Sequence, residues 1–241
     1  MCIFVDKYFY VHYYILIGRW ISIKKYYEAY DERYKVAHSK GVSWLSDKSS
    51  PIVLDTIKKY KIHPFSSILE IGCGEGRDSK ELLERGYHLL ATDISKEAIQ
   101  YCKNLFPLYK EHFSVFDCIR EKHQEKYDFI YSIDVIHMFV LDEDRNKFYQ
   151  FIKEHLTKDG IALICTMGDG IMEMQSDISN AFYLQEREHK SGKMMVAGTS
   201  CRMVSFKTFE KEIESNGLTK IEKGMTTAFP DFNNLMFSVV R

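Results

Sequence analysis

The segment Ser67–Gly76 constrains the fold more than any other part of this 241-residue chain. Glu70 follows two apolar residues, and Gly72, Gly74 and Gly76 come after it at alternate positions. Glycines in this arrangement let the backbone turn sharply and approach a ligand closely. An acid at the carboxyl end of a buried strand can accept hydrogen bonds from that ligand. The segment therefore predicts a buried strand that ends in a ligand-binding turn.

The residues after the glycines extend this prediction. The polar run Arg77–Ser79 can begin a helix whose free N–H groups face the same crevice. Asp93 ends the next apolar run, Tyr87–Thr92, and lies 21 residues after Gly72. A Rossmann-type sheet places a carboxylate on a ribose at about this offset. This order of elements indicates a nucleoside-type cofactor on an α/β sheet: a strand, a glycine turn, a helix, a second strand and an acid.

The glycine spacing distinguishes one class of cofactor from another. The spacing G-x-G-x-x-G surrounds the pyrophosphate of a dinucleotide, whereas the spacing here is G-x-G-x-G. With its acid ahead of the glycines, Leu69–Gly76 resembles the first motif of the class I S-adenosylmethionine-dependent methyltransferases. The resemblance covers roughly residues 51 to 167 and continues through four further segments: Thr92–Ser95, Phe116–Cys118, Asp128–Asp134 and Lys158–Gly160.

This resemblance implies a fold and a cofactor. The fold is an α/β Rossmann-like methyltransferase sandwich, a mostly parallel seven-stranded sheet with an antiparallel C-terminal strand and helices on both faces. The cofactor is S-adenosyl-L-methionine, and no metal is expected. Within the class, Gly74–Ser79 is faintly similar to the tellurite-resistance and thiopurine methyltransferase group, which methylates soft S, Se or Te atoms.

The resemblance also implies roles for single residues. Glu70 holds the methionine end, Asp93 accepts from the ribose hydroxyls, and Asp117 accepts from the adenine amine. Ile94 lies against the adenine face, and the Cys118 N–H donates nearby. The complete set of cofactor-binding residues expected on this basis is Glu70, Gly72, Cys73, Gly74, Asp93, Ile94, Asp117, Cys118 and Ser132.

Candidate catalytic residues follow the fourth predicted strand, Tyr127–Ile133. Asp134 and His137 could face the transferred methyl group, and His137 could deprotonate an oxygen, nitrogen or sulfur acceptor. The alternative is a histidine that is hydrogen-bonded locally at the start of a loop. Methyltransferases of base amino groups carry an Asn/Asp-Pro-Pro-aromatic run here to hold a flipped base. Its absence disfavours adenine or cytosine amines as acceptors.

Aromatic residues before the first strand have two interpretations. A helical pattern runs from Ser22 to Ala37, with tyrosines at spacings of three or four. These side chains form either a packing stripe on the core or an aromatic lid over cofactor and acceptor, since tyrosine gives an apolar wall a polar edge. The candidate substrate or lid residues are Tyr26, Tyr30, Tyr34, His38 and Trp44.

The predicted domain organisation follows from these elements. Residues 1–49 form an N-terminal extension with the aromatic helical lid, and residues 50–241 form the methyltransferase domain. An insertion at about residues 168–200 follows strand five and lies over the ligand crevice. Phe9–Ile17 is apolar and aromatic but too short for a transmembrane helix, and it lacks the features of a signal peptide. It is either an extra packed element or a tail from a misplaced start codon.

Composition narrows the function classes. A formal charge of −1 gives no reason to expect a nucleic-acid partner, which usually requires a basic face. The six cysteines form no C-x-x-C pair and are interpreted as reduced residues of a cytoplasmic protein. The favoured function is methyl transfer to an O, N or S atom of a small molecule. The alternatives are a methyltransferase for protein or tRNA, and a nucleotide-binding protein without catalysis; the oligomeric state stays open.

Overall fold

The protein is built on one twisted seven-stranded sheet. A computed structural model describes residues 24–43, 48–189, 192–228 and 232–241; Trp44 and the segment Phe9–Ile17 lie outside them. The sheet order is β10-β11-β5-β4-β1-β2-β3. Its strands are β1 (Ile68–Ile71), β2 (Leu89–Asp93), β3 (Phe113–Val115), β4 (Tyr127–Ile133), β5 (Leu156–Met167), β10 (Lys220–Ala228) and β11 (Phe232–Val240).

Strand directions confirm the predicted architecture. The five strands β1 to β5 pair in parallel. The C-terminal strand β11 runs antiparallel to β5, and β10 pairs with it as the outer arm of a hairpin. Parallel strands joined by helices place their carboxyl ends at one edge of the sheet, where ligands of such folds bind.

Helices cover both faces of this sheet because alternate strand residues point to opposite sides. Leu69 and Ile130 belong to one core cluster, together with Phe148. Ile68 and Phe129 belong to the other. The helices are α1 (Ala29–Ser39), α2 (Pro51–Tyr60), α3 (Arg77–Glu84), α4 (Lys96–Leu105), α5 (Asp142–His155) and α6 (Phe206–Ser215).

Local signals set several element boundaries. The Ser95 hydroxyl accepts a hydrogen bond from the Ala98 N–H at 3.0 Å and so caps α4. β4 has the predicted bounds, and β5 begins at Leu156, directly after α5, where it already pairs with Tyr127 of β4. None of the described helices is long and apolar enough to span a membrane.

The segment after β5 adds two small ladders beside the carboxyl edge of the sheet. β6 (Met174–Gln175) pairs with β9 (Arg202–Met203), and β7 (Leu184–His189) pairs with β8 (Gly192–Ala197). α1 packs against both β8 and α4. The helix α1 and the strand β8, both outside the sheet, therefore meet near the edge where the glycine turn lies.

Candidate functional site

The glycine turn after β1 is held by its neighbour strand. The N–H groups of Gly72 and Cys73 both donate to the Thr92 carbonyl oxygen, at 2.8 and 2.9 Å. Gly72 has a φ of +77°, and a Cβ on it would lie 2.2 Å from a methyl carbon of Val135. Only glycine fits this position, since it needs a left-handed backbone and close contact with the loop after β4.

Glu70 lies buried at the carboxyl end of β1, as predicted. The Ser79 hydroxyl of α3 donates to its carboxylate. Burial, and secondly the neighbouring Asp78, raise the pKa of Glu70 to about 8. A buried carboxyl group at this pKa is poised to ionise when a cationic group approaches.

Asp93 ends β2, and its carboxylate is hydrogen-bonded to the glycine turn. One oxygen accepts from the Gly74 N–H and the other from the Ser95 N–H, each at 2.8 Å. Burial raises its pKa, while these two N–H groups oppose that shift. Each carboxylate oxygen has a second lone pair, so Asp93 can accept further hydrogen bonds from a hydroxylated ligand.

Asp117, two residues beyond β3, provides a third carboxylate at the same edge. Its oxygens accept from the Ile119 N–H at 3.1 Å and from the Tyr27 hydroxyl at 3.2 Å. Asp117 and Ile94 line a cavity of about 530 Å³ that opens beside α1. Cys118 is buried next to Asp117. Most of the other lining residues are charged, so Ile94 and Val115 are its apolar members and Asp117 is one of several acceptors.

α1 crosses the crevice and touches the glycine turn. The Tyr34 hydroxyl lies 2.8 Å from the position of a Cβ on Gly74. The His38 ring stacks on Tyr101 at 4.3 Å, and its two nitrogens lie 2.9 Å from carboxylate oxygens of Glu75 and Glu97. The helix is therefore fixed to both the turn and α4 by polar side chains.

The other aromatic candidates separate into two groups. Tyr26 lies in a 3₁₀ turn, Tyr26–Glu28, and donates to Asp144 at 2.7 Å while accepting from the Val140 and Leu141 N–H groups. It belongs to the core around α5. Tyr30 is half-buried on α1 beneath the Arg33 guanidinium, 5.1 Å from its ring centre.

Asp134 and His137 lie together beyond β4. Asp134 has a φ of +59°, unusual for a residue with a side chain, and its N–H donates to the Cys165 carbonyl at 3.1 Å. His137 Nδ1 lies 3.9 Å from Asp134 Oδ1. Ser132, at the end of the same strand, is fully buried. Strain at a non-glycine residue is a common property of functional sites.

The electrostatic environment of His137 keeps it neutral. Burial lowers the pKa of His137 to about 4, with further lowering by the positive charges of Arg145 and Arg33. A neutral imidazole can accept a hydrogen bond, but a general base works best with a pKa near the working pH. His137 is therefore better suited to orienting an acceptor than to removing its proton.

This shifted pKa predicts a pH-dependent loss of stability. The unfolded chain binds a proton at His137 below its ordinary value of 6.5, whereas the folded chain does so only near 4. The contribution of His137 to stability therefore falls on acidification, by about 2 kcal/mol from pH 7 to pH 5. The raised pKa of Glu70 changes stability in the opposite sense over this window, so the effect of His137 is the difference between the wild type and a variant without it. Urea unfolding of the wild type, His137→Gln and the exposed control His63→Gln at both pH values measures this difference. The same change with pH in all three proteins would show that His137 does not cause it.

The loop that carries His137 is anchored from outside the crevice. Arg145 of α5 is fully buried and donates to the Ile136 and Phe139 carbonyl oxygens at 2.9 and 3.2 Å. Its other nitrogens donate to Glu212 of α6 at 2.8 and 2.6 Å. One buried ion pair thus fixes the turn Ile136–Met138 from below.

Three residues of this site are absent from the sequence-based set. Tyr27 meets Asp117, Glu75 meets His38, and Arg33 lies beside Tyr30. Glu75 lies inside the glycine motif, and Arg33 lies three residues after Tyr30 on a helix. The sequence therefore places both of them next to predicted site residues. Nothing in the sequence indicates their partners, which come from distant parts of the chain.

Comparisons with known proteins agree with this geometry. A family described as "Methyltransferase domain" matches residues 69–162. The probable S-adenosyl-L-methionine-dependent methyltransferase TehB of Haemophilus influenzae is 31% identical over 114 residues. That match covers 46% of this chain and only 39% of the relative.

Solved structures share the fold at low identity. An S-adenosylmethionine-dependent methyltransferase of Clostridium acetobutylicum is 16% identical, with a TM-score of 0.62 over 89% of this chain and 98% of the other. The 1,6-didemethyltoxoflavin-N1-methyltransferase of Burkholderia thailandensis, solved with its substrate and S-adenosylhomocysteine, is 13% identical, with a TM-score of 0.66 over 90% and 88%. Residues 69–162 of this chain therefore match a methyltransferase domain, and the chain shares the fold of solved S-adenosylmethionine-dependent methyltransferases while spanning well under half the length of its curated relative.

Proposed function

We propose that this protein transfers the methyl group of S-adenosylmethionine to an O, N or S atom of a small molecule. The observation that carries the proposal is the set of three carboxylates Glu70, Asp93 and Asp117. They lie at or just beyond the carboxyl ends of the neighbouring strands β1, β2 and β3, at the edge of the sheet that carries the glycine turn. In this order they are suited to the three polar parts of the cofactor: its cationic methionine end, its ribose and its adenine amine.

The residues present fit this cofactor. At Gly72 and Gly74 the Val135 and Tyr34 side chains approach so closely that a Cβ would collide with them, so the turn keeps a bare backbone that a ligand can approach. Asp93 has lone pairs for the ribose hydroxyls, and Ile94 offers an apolar surface for the adenine face. Ser132, whose buried hydroxyl has no hydrogen-bond partner within the described part of the chain, adds a polar group below the turn.

The chemistry divides between cofactor and protein. The sulfonium of S-adenosylmethionine supplies an electrophilic methyl group, so the protein has to position the acceptor and exclude water. Asp134 and His137 would face the acceptor from the loop after β4. Neutral His137 would accept a hydrogen bond and orient the attacking atom.

A small acceptor is favoured by what covers the crevice. α1 spans the distance from the glycine turn to the hairpin β7–β8, where Arg33 donates to the Ala197 carbonyl oxygen. A helix in this place lies across the edge of the sheet that carries the glycine turn. A folded protein or tRNA would need that helix to move away.

Calorimetry tests the proposal directly. S-adenosylhomocysteine, the demethylated product, should bind with measurable heat, and NAD should not, because the turn lacks the pyrophosphate-binding spacing. Methyl transfer to a mixture of small metabolites is then detected by mass spectrometry. Heat from NAD without heat from S-adenosylhomocysteine would contradict the cofactor assignment.

The lid role of α1 makes a separate prediction. If bound cofactor fixes α1, hydrogen exchange of residues 26–39 should slow on adding S-adenosylhomocysteine, since closure excludes water. The distal helix α6 is the internal control, because it packs on the far part of the sheet near β10. Equal protection of α1 and α6 would contradict the lid role and indicate that the tyrosines of α1 only pack on the core.

A further inference from the structure

Arg33 is held in a fixed direction by neutral groups. Its Nε and Nη2 atoms lie 3.3 and 3.2 Å from the Ala197 carbonyl oxygen and donate to it. The guanidinium also lies over the Tyr30 ring at 5.1 Å. These contacts orient the side chain between α1 and β8. Neither of them supplies a negative charge.

The absence of a counter-charge distinguishes Arg33 from comparable residues. Three other arginines are buried or half-buried, and each has a carboxylate within 4.0 Å: Arg77 with Asp78, Arg145 with Glu212, and Arg202 with Asp142. Within the described ranges, no carboxylate oxygen pairs with Arg33. Burial lowers its pKa, as expected for a desolvated cation. An uncompensated charge of this kind is unfavourable until an anion reaches it.

A second cation lies on the same hairpin. Arg187 lies on β7 of the hairpin, opposite Met194, and its positive charge lowers the pKa of Arg33 further. It is exposed and has no carboxylate partner among the residues that the structure describes. Two like charges on facing elements repel each other. An anion between them would attract both.

The position of Arg33 indicates which ligand supplies that anion. Its charge acts on His137, at the acceptor side of the crevice. Its contacts are with β8, beyond the glycine turn, which is touched by Tyr34 instead. The cation next to Glu70 is Arg77, which is paired with Asp78.

We propose that Arg33 determines specificity by binding an anionic group of the acceptor, a carboxylate or a similar oxyanion, with Arg187 as an outer second cation. The inference rests on the proposed methyl transfer and names the chemical class of its acceptor. The guanidinium has donors left after its bonds to Ala197, and a planar oxyanion can accept two of them at once.

Matched pairs of small probes test this. With the protein saturated with S-adenosylhomocysteine, acetate, benzoate and phenylacetate are titrated against their neutral amides by NMR. The wild type should bind at least one carboxylate about tenfold or more tightly than its amide. Arg33→Met should abolish that preference, Arg33→Lys should keep part of it, and Lys40→Met, at the exposed end of α1, should leave it unchanged. Carboxylates that bind no better than amides would overturn the proposal.

A second experiment distinguishes two sources of the anion that Arg33 could bind: the acceptor and the amino-acid carboxylate of the cofactor. The affinities of S-adenosylhomocysteine and 5′-methylthioadenosine, which lacks the amino-acid part, are measured for wild type and Arg33→Met. Unchanged values for both support the acceptor assignment. Weakening of S-adenosylhomocysteine alone, by about tenfold or more, would assign Arg33 to the cofactor carboxylate and overturn it. A wild type that binds neither nucleoside would instead contradict the proposed function. Thermal unfolding of each variant checks that it is folded.

Discussion

Replacing Asp93 with alanine should weaken S-adenosylhomocysteine binding by about 10- to 100-fold, that is by about 1–3 kcal/mol. The substitution removes a charged acceptor from the ribose position. It also leaves the Gly74 and Ser95 N–H groups, now 2.8 Å from its oxygens, without this partner. Isothermal titration calorimetry of the purified variant gives the dissociation constant.

Asp128 provides the matched control. It too is a half-buried acid of the sheet that accepts from a backbone N–H, that of Ser67 at 3.0 Å, but it lies at the opposite edge. Asp128→Ala should lower stability and leave the affinity unchanged. If Asp93→Ala and Asp128→Ala bind equally well, the ribose does not lie at Asp93.

The largest effect on stability is expected at Arg145. Arg145→Met leaves the Glu212 carboxylate without its buried partner and frees the two carbonyl groups of the loop that carries His137. Removal of one member of a buried pair destabilises a protein by about 3–5 kcal/mol. Urea unfolding measures the difference from the wild type.

Two further variants identify the cause. In the double variant Arg145→Met, Glu212→Gln, no charge is left buried, while Tyr149 keeps a neutral acceptor in place of its present 2.9 Å bond to Glu212. Part of the stability should return. Arg85→Met breaks the exposed pair with Glu81 and should change stability by less than about 1 kcal/mol. Equal losses for Arg145→Met and Arg85→Met would mean that the buried pair contributes no more than a surface pair.

The positions of Glu70, Gly72 and Asp93, which we propose bind the cofactor, could be predicted from sequence because their determinants are local. These residues lie at or next to strand ends, and apolar runs indicate where strands end. The parallel strands are predicted by similar local patterns, whereas the antiparallel C-terminal strand was expected from the family resemblance. Such features need no knowledge of what packs against them.

The acceptor side depends on contacts between distant parts of the chain. Tyr26 and Tyr30 share a helical spacing, yet Tyr26 falls in a 3₁₀ turn and donates to Asp144 of α5, whereas Tyr30 packs beneath Arg33. His137 has the side chain of a candidate base, but burial and then the positive charge of Arg145 lower its pKa. Neither effect has a local sequence signal, because each arises from tertiary packing.

The position of α1 has a consequence for the order of events in a catalytic cycle. The helix touches the glycine turn through Tyr34 and the hairpin through Arg33, so two ligands that each fix it must strengthen one another by the same factor. We therefore expect the affinity for either product to fall once the other has left. Departure of the first product would then hasten departure of the second.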